Sequence, residues 1–312
     1  RDSMIDLTGR SAIVTGGSRG LGREMVMAFA ERGADVVIAS RKLENCEQLA
    51  IEVQRKTGQR AIPVAYHAGN WDDSERLARV AYEEFGKVDI LVNNAGMSPL
   101  YKSVDAITEE LYNKVLDVNL KGPFRLSALI GTRMVESGSG GSIIFVSSIA
   151  SRRPSPQELA YGAAKAGLNN LTYGLSRTFG PSVRVNCIVP GPFLTDISKA
   201  WDLEAFQARA TETFALGRGG EPHEVVGAAL GQPPRDQARI GELAAAVQLA
   251  SLGRFLAEVE RFLRLGLHPK GHFQRLDASF QLAVAVAGVA MQFVHPADQI
   301  ELPPLRVARQ VA

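Results

Sequence analysis

Tyr161 and Lys165 stand four residues apart in Tyr161-Gly162-Ala163-Ala164-Lys165. On a helix that spacing puts a phenol and an ammonium on one face. A carbonyl that accepts a hydride needs a proton donor at its oxygen, and the reverse reaction needs an acceptor there. A tyrosine with its ordinary pKa near 10 is poorly matched to that task at neutral pH. A neighbouring lysine charge favours the phenolate and lowers that value. Such a pair also arises by chance on solvated helices, so its meaning depends on what accompanies it. Ser148 ends an apolar run, where its hydroxyl can hydrogen-bond a substrate oxygen. Asn119 interrupts the apolar face of Leu116-Asp117-Val118-Asn119-Leu120, and a satisfied core amide accounts for it as well as function does. Asn93-Asn94-Ala95-Gly96 ends another apolar run, and Pro190-Gly191-Pro192-Phe193-Leu194-Thr195 follows a third.

A second constellation lies near the N-terminus, in Thr15-Gly16-Gly17-Ser18-Arg19-Gly20-Leu21-Gly22. Gly16 allows a sharp turn, Gly20 lets backbone approach a pyrophosphate, and Gly22 lets a helix pack closely on a strand. The helix that follows would offer the phosphates unpaired N–H groups and the positive end of its dipole. The next strand ends in Ala39-Ser40-Arg41-Lys42. An acid there would accept from the ribose 2′-hydroxyl of NAD(H). Arg41 suits a 2′-phosphate instead, with Arg19 approaching from the glycine loop, so NADP(H) is the expected cofactor.

The elements that must position these groups follow from periodicity. Strands are expected at Ser11–Thr15, 35–39, 60–66, 88–93, 143–147 and 183–189, and helices at 21–32, Leu43–Thr57, 73–85, 109–136 and 161–178. The helix over 109–136 is expected to be interrupted near Asn119. Val36-Val37-Ile38 and Ile90-Leu91-Val92 lack alternation, as strands buried on both faces do. The alternation of strand and helix specifies an α/β, doubly wound parallel sheet, whose ligands bind outside the carboxyl ends of the strands. With 46% hydrophobic and 22% charged residues, the 312-residue chain can bury a core without disulfides or a structural metal. Its net charge of +2 gives no reason to expect nucleic acid or an anionic membrane as a partner. Cys46 and Cys187 show no metal-type spacing, and no metal is expected. No apolar stretch is long enough to span a bilayer and residues 1–10 lack an apolar run, so a cytoplasmic location is expected.

Taken together, the 15–22 loop, Asn93–Gly96, Asn119, Ser148, Tyr161, Lys165 and the 190–195 segment resemble the short-chain dehydrogenase/reductase family. Its compact bacterial type, with the 3-oxoacyl-carrier-protein reductases, is the nearest likeness. The resemblance covers about residues 7–230 and implies a Rossmann-like fold with NADP(H). It makes Tyr161 the general acid/base, and Lys165 the group that lowers its pKa and holds the nicotinamide ribose. Ser148 orients the substrate oxygen, and Asn119 supports a proton-relaying water. The implied cofactor contacts are Gly16, Ser18, Arg19, Gly20, Leu21, Gly22, Arg41, Ala68, Asn94, Ala95, Gly96, Tyr161, Lys165, Pro190, Gly191 and Thr195. His67 stands where relatives carry an acid, and a structural role suits it better. Residues 196–216 correspond to a substrate lid whose Trp201, Phe206 and Phe214 face an apolar substrate or pack on one another, with equal weight. The substrate implied is a small molecule, an apolar carbonyl compound or acyl thioester, and a homo-oligomer is expected. The alternatives are an enoyl or dienoyl thioester reductase and a non-catalytic NADP(H)-binding module.

The likeness stops at Leu230. Relatives continue into a last strand with Val-Asp-Gly-Gly, whereas Gly231-Gln232-Pro233-Pro234-Arg235 opens a stretch rich in Ala, Leu, Gln and Arg. The expected division is a catalytic domain over 1–230 and an atypical tail, helical or disordered, over 231–312. The tail is either an appended helical extension or the product of a changed reading frame, and the abruptness of the switch favours the second. Either way the sixth strand is left as a sheet edge.

Overall fold

A computed structural model of the chain describes residues 5–195, 198 and 201–231. Nearly all of the region 231–312, with the helix expected at 240–265, lies outside the described residues.

Six parallel strands form one sheet in the order β3-β2-β1-β4-β5-β6. They are β1 Ser11–Thr15, β2 Asp35–Ser40, β3 Ala61–Ala65, β4 Ile90–Asn93, β5 Gly141–Val146 and β6 Val183–Ile188. Each side chain turns to the face opposite its neighbour's. Ala12, Val14, Val36, Ile38, Ile90, Val92, Ile144 and Val146 join one core, shared with helices α1 (Gly20–Ala30), α2 (Leu43–Thr57) and α8 (Val226–Leu230). Ile13, Val37, Leu91, Ile143 and Phe145 join the other, shared with α3 (Trp71–Phe85), α5 (Gly122–Glu136) and α6 (Leu159–Phe179). Burial on both faces is why these strands read as unbroken apolar runs. Among the described residues β6 pairs only with β5.

The order in which strands are added reverses about β1, which has β2 on one side and β4 on the other. A crevice opens at such a switch point beyond the strands' carboxyl ends. The interruption expected near Asn119 is present. Helix α4 (Glu109–Leu116) passes into a π turn, Asp117–Lys121, in which the Gly122 N–H donates to the Asp117 carbonyl before α5 begins. Such a turn rotates side chains off the regular helical stripe, and proteins place it at functional sites. Between β6 and α8 lies α7 (Leu203–Thr213). The Trp201 and Phe206 rings are 5.1 Å apart and those of Phe206 and Phe214 5.9 Å, so of the two expectations for this segment packing is the one seen. No described helix is long and apolar enough to cross a membrane.

Candidate active site

The loop after β1 is shaped by close approach. Gly16 has φ +62, and a methyl on Gly22 would lie 2.2 Å from the Gly16 carbonyl oxygen and 2.6 Å from Asn94 Nδ2. That space is taken by the Asn94 carboxamide, which donates to the carbonyls of Thr15 (3.0 Å) and Gly16 (3.2 Å). Thr15 Oγ1 completes the join, accepting from the N–H groups of Asn94 and Ala95 at 3.0 and 3.1 Å. The ends of β1 and β4 are thereby fastened together at the floor of the crevice. A Cβ on Gly20 would fill the gap to the Thr195 side chain, 3.5 Å away, so the 190–195 segment closes over the glycine loop. Pro190 is held by the Ile149 N–H at its carbonyl (3.0 Å), and Gly191 is exposed. No side chain caps α1, whose preceding residue, Arg19, has extended backbone. An uncapped helix start beside a glycine cradle is what the phosphates of a dinucleotide require, and these residues fit one.

At the end of β2 the Ser18 hydroxyl donates to the Ser40 hydroxyl at 2.9 Å. Arg19 and Arg41 are exposed, and neither side chain takes part in an ion pair or hydrogen bond among the described residues. Arg23, Arg60, Arg76 and Arg218, in contrast, each hold a carboxylate. Leu21 packs on the first core. Ala68 is buried, with its carbonyl against Gly122 at the start of α5. His67 shapes the turn before α3: its N–H donates to Asp73 Oδ2 (2.8 Å) and its Nδ1 accepts from the Gly69 N–H (3.2 Å). That is the structural role expected of it.

The second constellation converges on the ends of β4 and β5. Ser148 accepts from the Ala150 N–H through Oγ (3.1 Å), and its hydroxyl stands close enough to the Tyr161 phenol to act on that group's proton affinity. Tyr161 lies one helical turn before Lys165 on α6. Lys165 is buried, with Nζ donating to the Val146 carbonyl at 2.8 Å and lying 5.6 Å from the Tyr161 ring centre. Burial pulls its ammonium down to about 8, opposed by the nearby Cys187. Burial also pushes the Tyr161 phenol above its ordinary value, and the Ser148 hydroxyl opposes that while the Glu158 carboxylate adds to it. With Lys165 turned to the Val146 carbonyl, desolvation outweighs the depression of the phenol expected from the sequence.

Asn119 is fully buried, and its carboxamide is engaged on both sides. Nδ2 donates to the carbonyls of Met97 (2.8 Å) and Val115 (2.9 Å), while Oδ1 accepts from the Met97 N–H (3.2 Å). The side chain is a strut that fixes the backbone after β4. Gly96 lies where a Cβ would come within 2.9 Å of Asn119 Oδ1 and 3.5 Å of Lys165 Nζ, which brings all three residues to one point. Two supports were not foreseen. The buried Ser147 hydroxyl donates to the Lys165 carbonyl at 3.1 Å, and Asn93 Nδ2 donates to the Ser127 hydroxyl at 2.9 Å. The only hint of either was a small polar residue in an apolar run. Among the described residues no group of His, Cys, Asp and Glu is arranged to hold a metal ion.

Comparison with known proteins agrees with this geometry. Residues 10–205 match the short chain dehydrogenase family. The chain is 35% identical to dehydrogenase/reductase SDR family member 4 of Homo sapiens, over 71% of this chain and 80% of that protein. It is 38% identical to L-rhamnose 1-dehydrogenase (NAD(P)(+)) of Azotobacter vinelandii, over 71% of this chain and 88% of that one. The crystal structure of L-sorbose reductase from Gluconobacter frateurii, complexed with NADPH and L-sorbose, superposes with a TM-score of 0.67 at 26% identity, covering 72% of this chain and 90% of that one. The chain belongs to the short-chain dehydrogenase/reductase family, and it is an oxidoreductase acting between an alcohol and a ketone with a nicotinamide cofactor.

Proposed function

We propose that the chain transfers a hydride between NADP(H) and a ketone or secondary alcohol, with Tyr161 as the acid/base group. The observation that carries this reading is the placing of Ser148, at the end of β5, beside the Tyr161 phenol, backed by the buried Lys165. The nicotinamide supplies or accepts the hydride. The phenol of Tyr161 gives its proton to the oxygen of a carbonyl under reduction, and takes one back in oxidation. The Ser148 hydroxyl orients that oxygen. Lys165 keeps positive charge behind the phenol, where it stabilises the phenolate left by proton transfer. Asn119 holds the 96–97 backbone and so acts on Lys165 through position. A serine and a tyrosine hydroxyl side by side suit a developing alkoxide, which favours carbonyl chemistry over reduction of an enoyl or dienoyl thioester. A 3-oxoacyl thioester is the acyl substrate carried over from the bacterial reductases that the sequence resembles.

Gly16, Ser18, Gly20, Leu21, Gly22, Ala68, Asn94, Ala95, Gly96, Pro190, Gly191 and Thr195 would hold the dinucleotide. The preference for NADP(H) rests on the two unpaired guanidinium groups of Arg19 and Arg41 and on the absence of an acid at the end of β2. The names of relatives print NAD(P)(+) for the L-rhamnose 1-dehydrogenase of Azotobacter vinelandii and NADP(+) for that of Thermoplasma acidophilum. Loss of a charge-assisted pair and its replacement by a repulsion is expected to lower the ratio of NADPH to NADH kcat/KM in Arg41→Asp by about 10- to 100-fold. An unchanged ratio overturns the assignment.

A further inference from the structure

Glu158 stands immediately before α6, three residues ahead of Tyr161. Its two oxygens reach two different loops. Oε2 accepts from the Ser98 hydroxyl at 3.3 Å, on the segment after β4, and Oε1 accepts from the Ser155 N–H at 3.3 Å, on the segment after β5. Both bonds are long, and they occupy two of the roughly four acceptor positions a carboxylate offers. Glu158 is only half-buried, so the remaining positions are open. Its charge is near enough to the phenol to push that group's proton affinity up. Beside it, Tyr101 Oη accepts from the Leu159 N–H at 2.6 Å, adding another polar group to the same rim. The aromatic side chains after β6 are engaged with one another. Phe206 is buried among Trp201, Phe214, Leu194 and Gly219. The rim next to the phenol therefore offers a carboxylate and a second phenol oxygen as acceptors, beside the exposed side chains of Ile149 and Leu159.

We infer that Glu158 accepts hydrogen bonds from hydroxyl groups on the substrate next to the reacting carbon, and that the substrate is an uncharged, polyhydroxylated carbonyl compound or the matching alcohol. The inference rests on the hydride-transfer reading above and specifies which carbonyl compounds that site takes. A site built to bond a hydroxyl rejects the analogue that lacks it, because an acceptor removed from water is left without a donor. A substrate with a carboxylate or phosphate on that side meets like charge. The sugars in the names of L-rhamnose 1-dehydrogenase and L-sorbose reductase have this chemistry, and a 3-oxoacyl thioester does not. Glu158 also ties two loops together, and that role alone would affect every substrate equally.

The test is steady-state kinetics at saturating NADPH for the full chain and its Glu158→Ala and Glu158→Gln variants, with L-sorbose as the polyhydroxylated ketone and cyclohexanone as the hydroxyl-free one. The unmodified chain is expected to prefer L-sorbose. Glu158→Ala is expected to lower the ratio of kcat/KM for L-sorbose to that for cyclohexanone by about tenfold or more, chiefly through KM. Glu158→Gln, which keeps an acceptor oxygen, is expected to recover part of the ratio. Equal losses on both ketones, or a preference for cyclohexanone in the unmodified chain, overturn the inference and leave hydride transfer standing. No turnover of either ketone overturns both.

Discussion

The two halves of the sheet end in different materials. Around β1 and β2 the crevice is lined by backbone: glycines at 16, 20 and 22, and the first turn of α1 with no side-chain cap. Around β4 and β5 it is lined by side chains, each held by a buried hydrogen bond: Asn119 on Met97, Ser147 on the Lys165 carbonyl, Lys165 on Val146. The helix starts repeat the contrast. Asn70 caps α3 by accepting from the Asp72 and Asp73 N–H groups, Thr108 caps α4 and Asp202 caps α7. The helices that start from a loop with no cap from the preceding side chain are α1, α2 and α6, and the residues before them are Arg19, Lys42 and Glu158. These are the starts next to the residues proposed to touch cofactor and substrate. A capped start has satisfied its own N–H groups, whereas the uncapped start of α1 keeps them for a ligand, and at α6 the Tyr101 phenol takes the first of them. The difference suggests that substitutions in the first half act on cofactor affinity and those in the second on the chemical step.

Tyr161→Phe gives the sharpest break between the halves. Removing the hydroxyl deletes the proton donor while leaving the glycine loop untouched. The expected result is a fall in kcat of about 10²- to 10⁴-fold, with the Kd for NADPH, read by fluorescence titration, unchanged within about threefold. A matching loss of NADPH affinity would mean that the halves are not separable. Gly22→Ala is the reciprocal test. Its methyl would meet the Gly16 carbonyl at 2.2 Å, and backbone cannot yield as a flexible side chain does. The expected cost is about 1–3 kcal/mol of stability, with the KM for NADPH raised about tenfold or more. A normal KM would show that the loop tolerates rearrangement and that its close packing is not what shapes the cradle.

The backbone-built half was the more legible in the sequence. Gly16, Gly20 and Gly22 are informative by residue type, because only glycine fits a positive φ or so close an approach, and β1 and α2 lie where their apolar periodicity put them. The break near Asn119 was also readable, since an amide on an apolar stripe is conspicuous. That the break is a π turn and that the carboxamide turns to Met97 were not, because those depend on packing between segments 22 residues apart. The same holds for Glu158 and Ser98, which are 60 residues apart and joined only by the fold. Sequence spacing gave Lys165 its place beside Tyr161 but not its direction, which the Val146 carbonyl decides. Helix α7 went unread because its aromatics suit a lid and a small core equally well, and only their mutual stacking separates the two.

Lys165 offers the smallest expected effect and the finest test of the side-chain-built half. Burial lowers its pKa from 10.5 to about 8, which means that the fold bears a charge it would be more stable without. Between those values the unfolded chain binds more protons than the folded one, so stability rises as pH climbs from about 8 towards 10.5, and below about 8 the burial cost is present in full. Lys165→Met keeps the bulk and removes the charge, at the expense of one donor to the Val146 carbonyl. The variant is expected to lose activity yet gain about 1–2 kcal/mol at pH 7, read from the denaturant midpoint in the absence of nucleotide. Its stability should also lack the rise that the unmodified chain shows between pH 8 and 10.5. If the two proteins ran parallel across that window, the charge would cost the fold nothing, and the side-chain half would be as relaxed as the backbone half.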